Sequence, residues 1–246
     1  MKLLLLTGIQ EELYPMIPEF RLVFSKETGL YQSANYPELF AATTGPGVKK
    51  RKELREIFKT IIPDIIVNAG LIGTLTDDPL PAPGDLAKIS SVVEFETHLV
   101  FPVQPHGGTL LTVRKPVFEP REKWLLSRDY QARFCDMEAS RILQLLREVD
   151  EVREDTSVVF CKVVGDTPAQ YDLYQHEELV RGWHRENWFG KMRIGLKFPG
   201  GPMRLRRLLA LKEKSLDGLT EHTRRTVKAL LAGANPDKMG AVYAPA

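Results

Sequence analysis

Carboxylates stand at three places where acid–base chemistry could be done: Glu11 and Glu12 in "GIQEELYPM", Asp136 and Glu138 in "DMEAS", and Asp166 in "VVGDTPAQ". A carboxylate held near a reacting group can take or give a proton, or accept hydrogen bonds from hydroxyls. Each of the three also has a plain structural reading. The doublet Glu11–Glu12 follows the apolar run "KLLLLT" and reads as a helix start, because acids in a first helical turn complement the partial positive charge there. "DMEAS" opens an amphipathic helix with Asp136 near its N-terminus and Glu138 within the first turn. Asp166 directly follows a buried strand, where Gly165 and Pro168 enforce a turn that an Asp can also form.

The elements that must position these groups follow from periodicity. Short strand-like runs recur as "KLLLLT", "LFAATT", "DIIVNAG", "DLAKISSVV", "TLLTV" and "SVVFCKVVG", with helical patterns such as "KKRKELREIFKTI" and "DMEASRILQLLREV" between several of them. This alternation predicts an α/β fold with a mixed, largely parallel central sheet flanked by helices. Ligands of such sheets bind beyond the carboxyl ends of the strands. Three strand ends here carry notable residues: "TGIQEE", "NAGLIG" and "GDTPAQ". "TTGPGVKKRKEL" is a Gly-rich loop entering a helix, without the spacing of either phosphate-binding fingerprint.

At 246 residues, 43% apolar and 27% charged, the chain can bury a full core, and a single domain over residues 1–246 is expected. A formal charge of +2 is far from the dense basic footprint of a nucleic-acid binder, so no nucleic-acid partner is expected. Cys135 and Cys161 are the only cysteines, which argues against a disulfide framework or a cysteine metal site and fits a reducing cytoplasm. "LLLL" is too short for a signal-peptide core, and no run approaches a membrane span.

Residues 171–214 differ in composition from the rest. They carry a net charge of +5 against −3 for the other 202 residues, two of the three Trp, and the turn-forming "FPGGP". They read as an insertion or lid before the last helix, and residues 234–246 as a loose tail. The interleaved "MRLRRLLALKEK" allows a peripheral contact with an anionic membrane, a second subunit in a homodimer, or simply a solvated face.

Taken together and in order, "TGIQEEL", "TTGPGVKK", "PDIIVNAGLIG", "PGDLAKIS", "RDYQARFCDMEAS" and "VVGDTPAQ" resemble the nucleoside phosphorylase and nucleosidase superfamily, most closely 5′-methylthioadenosine/S-adenosylhomocysteine nucleosidase. The resemblance covers roughly residues 1–170 and the last helix. It implies hydrolysis of the N-glycosidic bond of a 5′-modified purine ribonucleoside, with no metal and no organic cofactor. Glu12 then becomes the base that activates water, with Glu11 its solvated or capping neighbour. Glu138 binds the ribose hydroxyls beside Met137, and Asp166 helps protonate purine N7. Phe118, in "RKPVFEP", falls where the family sets an aromatic against the purine, and Gly70 and Leu71 fall at the sugar. The chemistry is coherent, because bond cleavage builds oxocarbenium-like charge on the sugar and negative charge on the base.

The superfamily's phosphorylases hold phosphate with arginines, one of them just before the glycine that corresponds to Gly70. Here "VNAGLIG" and "GIQEELYP" contain no arginine, so water is the expected nucleophile. Leu71 and Gly165 stand where the family usually carries Ser, which removes two hydroxyls from the site. The stretch between "SSVVEFETHLV" and "GGTLLTV" is also much shorter than in the nucleosidases, so the 5′ pocket is rebuilt, and Trp183, Trp188 and Phe189 offer apolar contacts for it. The alternatives are a futalosine- or adenosylhopane-type hydrolase, a phosphorylase, and a non-catalytic nucleoside-binding protein. Retention of all three carboxylates favours an enzyme, since a buried acid is costly to keep.

Overall fold

The computed structural model describes residues 1–76, 81–152, 156–170, 201–236 and 242–243. The first half of the sheet is built by β1 (Leu3–Thr7), β2 (Leu22–Ser25), β3 (Leu30–Ser33), β4 (Leu39–Thr43) and β5 (Ile65–Thr74). The rest comes from β6 (Ile89–Glu94), β7 (Val100–Pro102), β8 (Gly108–Thr112), β9 (Phe134–Asp136), β10 (Ser157–Asp166) and β11 (Val242–Tyr243). Among the described residues the helices are α1 (Gln10–Leu13), α2 (Met16–Glu19), α3 (Arg51–Ile61), α4 (Pro120–Tyr130), α5 (Ala139–Arg147) and α6 (Gly201–Leu231), with a 3-10 turn over Pro168–Gln170.

The strands join in one mixed sheet in the order β2-β3-β4-β1-β5-β9-β8-β6-β7, with β10 on β5 and β11 on β10. Its central pairings, β4·β1, β1·β5 and β5·β10, are parallel, as are β6·β8 and β8·β9. The expected α/β architecture is the one observed.

The four leucines of "LLLLT" explain the layering. Successive strand residues point to opposite faces. Leu4 and Leu6 pack with Ile66, Val158 and Phe160 under α3 and α5, through Phe58, Ile142 and Leu146. Leu3 and Leu5 pack on the other face with Val67, Val159 and Val163 under α1, α2 and α6, through Leu13, Phe20, Leu219 and Val227. A smaller cluster of Leu75, Val93, Leu111, Val113, Val117 and Cys135 lies beside Leu126 and Tyr130 of α4.

Strand β5 fixes where a site can form. Along one edge it pairs with β1 as far as Thr7↔Ala69, then with β9 antiparallel from Gly73↔Cys135, so the ladder on that edge is open at residues 70–72. The other edge pairs with β10 throughout, up to a bulge between Val164 and Asp166. Bulges re-aim side chains and recur beside active sites.

Helix α6 is continuous across residue 214 and seats against residue Gly84, because Gly218 lets the backbones meet: a Cβ at Gly218 would fall 2.2 Å from the Gly84 carbonyl oxygen. Val242–Tyr243, within the segment expected to be a loose tail, adds antiparallel to β10 and covers its edge. Trp183, Trp188 and Phe189, and most of the proposed insertion with its membrane or subunit contact, lie outside the described residues. No helix among the described residues is long and apolar enough to cross a membrane.

Candidate active site

Glu12 is buried and Glu11 exposed, so the two neighbouring acids part at the start of α1. Glu12 Oε2 accepts the N–H groups of Gly8 (2.9 Å) and Ile9 (3.2 Å), closing the first turn of the helix from its third position. Its Oε1 accepts the Leu71 N–H at 2.8 Å. On the β1-facing edge of β5, Ile65 N–H bonds the Lys2 carbonyl, and by the two-residue repeat the Leu71 N–H points the same way, into the open stretch of ladder. The helix-start reading of Glu12 is fulfilled, and the same side chain also reaches across to β5.

Glu138 reaches the same place from the opposite side. It is the N-cap residue of α5, one step before the first turn where the sequence pattern put it. Its Oε1 accepts the Gly47 N–H at 3.0 Å, and its Oε2 lies 3.3 Å from the Met137 N. Gly45, Gly47 and Val48 hold positive φ, which shapes the "TTGPGVKK" loop so that Gly47 can meet Glu138. Arg141 Nη1 donates to the Gly47 carbonyl at 2.9 Å, so this nearby guanidinium is engaged in holding the loop. Gly8 separates the two carboxylates: a Cβ there would lie 3.3 Å from Glu12 Oε2 and from Glu138 Oε1.

Beneath them lies a cation that the sequence pattern did not single out. Lys162, in the middle of β10 and 1% exposed, sets its Nζ 3.0 Å from Asp136 Oδ2. Asp136 also accepts Thr112 Oγ1–H at 2.8 Å and the Ala139 N–H at 3.0 Å. Gly70 leaves room above, since its Cβ would come 3.4 Å from Glu12 Oε1 and 3.6 Å from Lys162 Nζ. The signal was present in "SVVFCKVVG": a lone Lys inside an apolar strand must find a buried partner.

These neighbours set the charge states. Burial pushes the Glu138 carboxyl up to about 7, with Asp136 adding to the rise and Lys162 opposing it. Burial also raises Glu12, against the Leu71 N–H and Lys162. For Lys162, burial would lower the value, but Asp136, Glu138 and Glu12 outweigh it and leave it raised. The pocket therefore holds one firmly charged ammonium among three carboxyl groups.

Asp166 occupies the next stretch of the same strand ends. The bulge at Gly165 turns it to face Gly73, where a Cβ would meet Asp166 Oδ1 at 2.9 Å. Its Oδ2 contacts Nζ of Lys123, a fully buried residue of α4. Leu71 and Gly165 meet each other, since a Cβ at Gly165 would lie 3.2 Å from Leu71 Cβ. Phe118 is half-buried in the segment between β8 and α4, close in sequence to Lys123. Met137 is half-buried and packs against the small cluster under α4. Glu12, Glu138, Met137, Gly70 and Leu71 thus share hydrogen bonds or contacts around Gly8 and Lys162, while Asp166 lies further along β10, next to Gly165, which abuts the Leu71 side chain.

A groove of about 810 Å³ runs between the β2–β3 hairpin and α3, lined by Gln10, Phe24, Tyr31, Thr43, Lys50 and Ile57 among others. Gln10 and Thr43 stand at the same strand ends as Glu12 and the glycine loop. Among the described residues no group of three or more His, Cys, Asp or Glu could hold a metal ion.

The fold is that of the nucleoside phosphorylases and nucleosidases. Over 96% of this chain and 97% of the other, it is similar to the apo structure of 5′-methylthioadenosine nucleosidase from Arabidopsis thaliana, with a TM-score of 0.60 and 15% identity. It is similar to futalosine hydrolase of Helicobacter pylori with a TM-score of 0.62 and 14% identity, over 92% of this chain and 97% of that one. A third likeness is to the Helicobacter pylori 5′-methylthioadenosine/S-adenosylhomocysteine nucleosidase, with a TM-score of 0.60 and 12% identity, over 91% and 97% of the two chains. No family model and no curated protein sequence matches the chain.

Proposed function

We propose that the protein is an N-glycosidic hydrolase that cleaves a 5′-modified purine ribonucleoside. The observation that carries this reading is the pairing of Glu12 and Glu138 across Gly8, at strand ends that also bear Asp166. In the step proposed, a water oxygen bonds to C1′ while the bond from C1′ to the base nitrogen breaks and its electron pair passes to the base. Glu12, oriented by three backbone N–H groups, takes the water proton. Glu138 in its ionised form accepts hydrogen bonds from the ribose hydroxyls and fixes the sugar for attack. Asp166 passes a proton to purine N7, Phe118 lies against the purine face, and Met137, Gly70 and Leu71 border the sugar.

Water is preferred to phosphate because "GIQEELYP" and "VNAGLIG" lack arginine and Arg141 is bonded to the Gly47 carbonyl. The groove beside Gln10 and Thr43 supports a 5′ substituent extending toward α3. That the solved structures of like fold are named as a methylthioadenosine nucleosidase and a futalosine hydrolase is consistent with this class of reaction. The test is a panel of purine nucleosides, 5′-modified and unmodified, assayed for free base by chromatography. Release of base from at least one 5′-modified member is expected. Release from none would contradict the proposal.

A further inference from the structure

We infer that Lys123 is a positioning residue for this same reaction: it holds Asp166 as a carboxylate before cleavage and supplies, through Asp166, the proton that the departing base receives. The inference rests on the function proposed above and adds the source of its proton.

Lys123 is fully buried, and its Nζ contacts Asp166 Oδ2. It lies on α4 in register with Leu126 and Tyr130, both packed on the apolar cluster beneath that helix, so the ammonium points into the protein. An ammonium in contact with a carboxylate favours the ionised acid. An ionised Asp166 has no proton to give, yet the base leaving C1′ gathers negative charge and needs one. The buried pair holds that proton on Lys123.

Among the described residues, the groups that face the pair leave the proton there. From β9 comes the Cys135 thiol, pushed up to about 12 by burial and by Asp166, with Lys123 opposing, so it stays protonated and uncharged near neutrality. Asp136, the next residue of β9, is tied to Lys162. From β5 come Gly73, which leaves room for the carboxylate, and Thr74, whose hydroxyl donates to the Asp166 carbonyl at 3.4 Å. The turn Pro168–Gln170 that packs on α4 has no titratable side chain.

The proton balance closes without another reactant. As the glycosidic electron pair passes to the purine, a proton moves from Lys123 Nζ to the Asp166 carboxylate and from Asp166 to N7. A neutral amine, a carboxylate and a neutral base result. Asp166, with its side chain 17% exposed against 0% for Lys123, is the path by which solvent restores the proton once the base has left.

The test follows the Asp166 carboxyl carbon by NMR against pH, assigned by its loss in Asp166→Asn, together with pH–rate profiles for purine nucleoside cleavage. It is run on the wild type, Lys123→Met and Lys123→Arg. In the wild type Asp166 is expected to be ionised at neutral pH. In Lys123→Met its titration moves to higher pH, and cleavage near neutrality falls on the order of 100-fold below the wild type at the same pH, a deficit that closes toward acidic pH, where the lone acid carries its own proton. Lys123→Arg keeps the charge but does not release a proton, so Asp166 stays ionised and cleavage is lost without acidic recovery. A protonated Asp166 in the wild type at neutral pH, the same titration with and without Lys123, or full activity in Lys123→Arg would overturn the inference and leave the hydrolase reading standing. A wild type that cleaves no purine nucleoside at any pH would overturn both. The wild-type titration decides the matter even where a variant does not fold.

Discussion

Glu12 and Glu138 come from chain segments more than a hundred residues apart and both reach Gly8, where a Cβ would lie 3.3 Å from a carboxylate oxygen of each. Gly8 is absent from the glycines with positive φ, so Ala suits the backbone and the effect of Gly8→Ala falls on the carboxylates. The expected outcome is a fold that unfolds within about 1 kcal/mol of the wild type and a kcat reduced on the order of 10-fold or more, because small misplacements of reacting groups are expensive. Kinetics and thermal melts check it. Unchanged kcat would mean that the two acids need not be spaced by this glycine.

Glu138 gives the protein a pH signature. With its carboxyl at about 7, the ionised form that the proposed mechanism requires for holding the ribose hydroxyls is lost as the pH falls through that value, so kcat/KM should decline on the acid side of about pH 7. Stability runs the other way. A carboxyl raised in the folded state favours folding below the ordinary carboxylate range, and that contribution is lost as pH rises through about 7. Glu138→Gln should therefore gain stability relative to the wild type on going from about pH 5 to about pH 8, by on the order of 2 kcal/mol. Denaturant titrations at the two pH values measure it, and a difference that does not change with pH would count against the raised carboxyl.

Lys162→Met leaves Asp136 buried with Thr112 and Ala139 as hydrogen-bond donors but no counter-charge. Removing one partner of such a pair costs about 3–5 kcal/mol. Adding Asp136→Asn should return part of that loss, since the stranded charge goes too. A double-mutant cycle by chemical denaturation checks this; strictly additive losses would show that the two groups do not interact.

Leu71 and Gly165 depart together from the resembled pattern of serines, and they touch. Gly165→Ser introduces a side chain whose Cβ meets Leu71 Cβ at 3.2 Å and should destabilise by about 1–3 kcal/mol. Leu71→Ser made with it should relieve the crowding. If the double variant is no more stable than Gly165→Ser alone, the two positions are not packed as a pair.

The layers and the main strands could be read from the chain because their patterns are local. "KLLLLT", "LFAATT" and "SVVFCKVVG" are apolar runs of strand length, and they became β1, β4 and β10. The hairpin β2–β3 escaped because "LVFS" and "LYQS" are only four residues each, and β9 because "FCD" is three residues long. Glu12, Glu138 and Asp166 could be named from motifs at strand ends. Lys162 left a signal as the lone lysine of the apolar run "SVVFCKVVG", but Lys123 could not be named, because a lysine in "EPREKWLLSRDY" looks like any solvated helical lysine until the fold shows what lies across from it. The opening in the β5 ladder that brings the Leu71 N–H to Glu12 depends on where β1 stops and β9 begins, which no local pattern records.

The most direct test of the account is product analysis of a cleaved 5′-modified purine nucleoside, with and without inorganic phosphate. Free purine and a free 5′-modified ribose are expected, formed at the same rate whether or not phosphate is added. A sugar 1-phosphate, or a rate that requires phosphate, would contradict it.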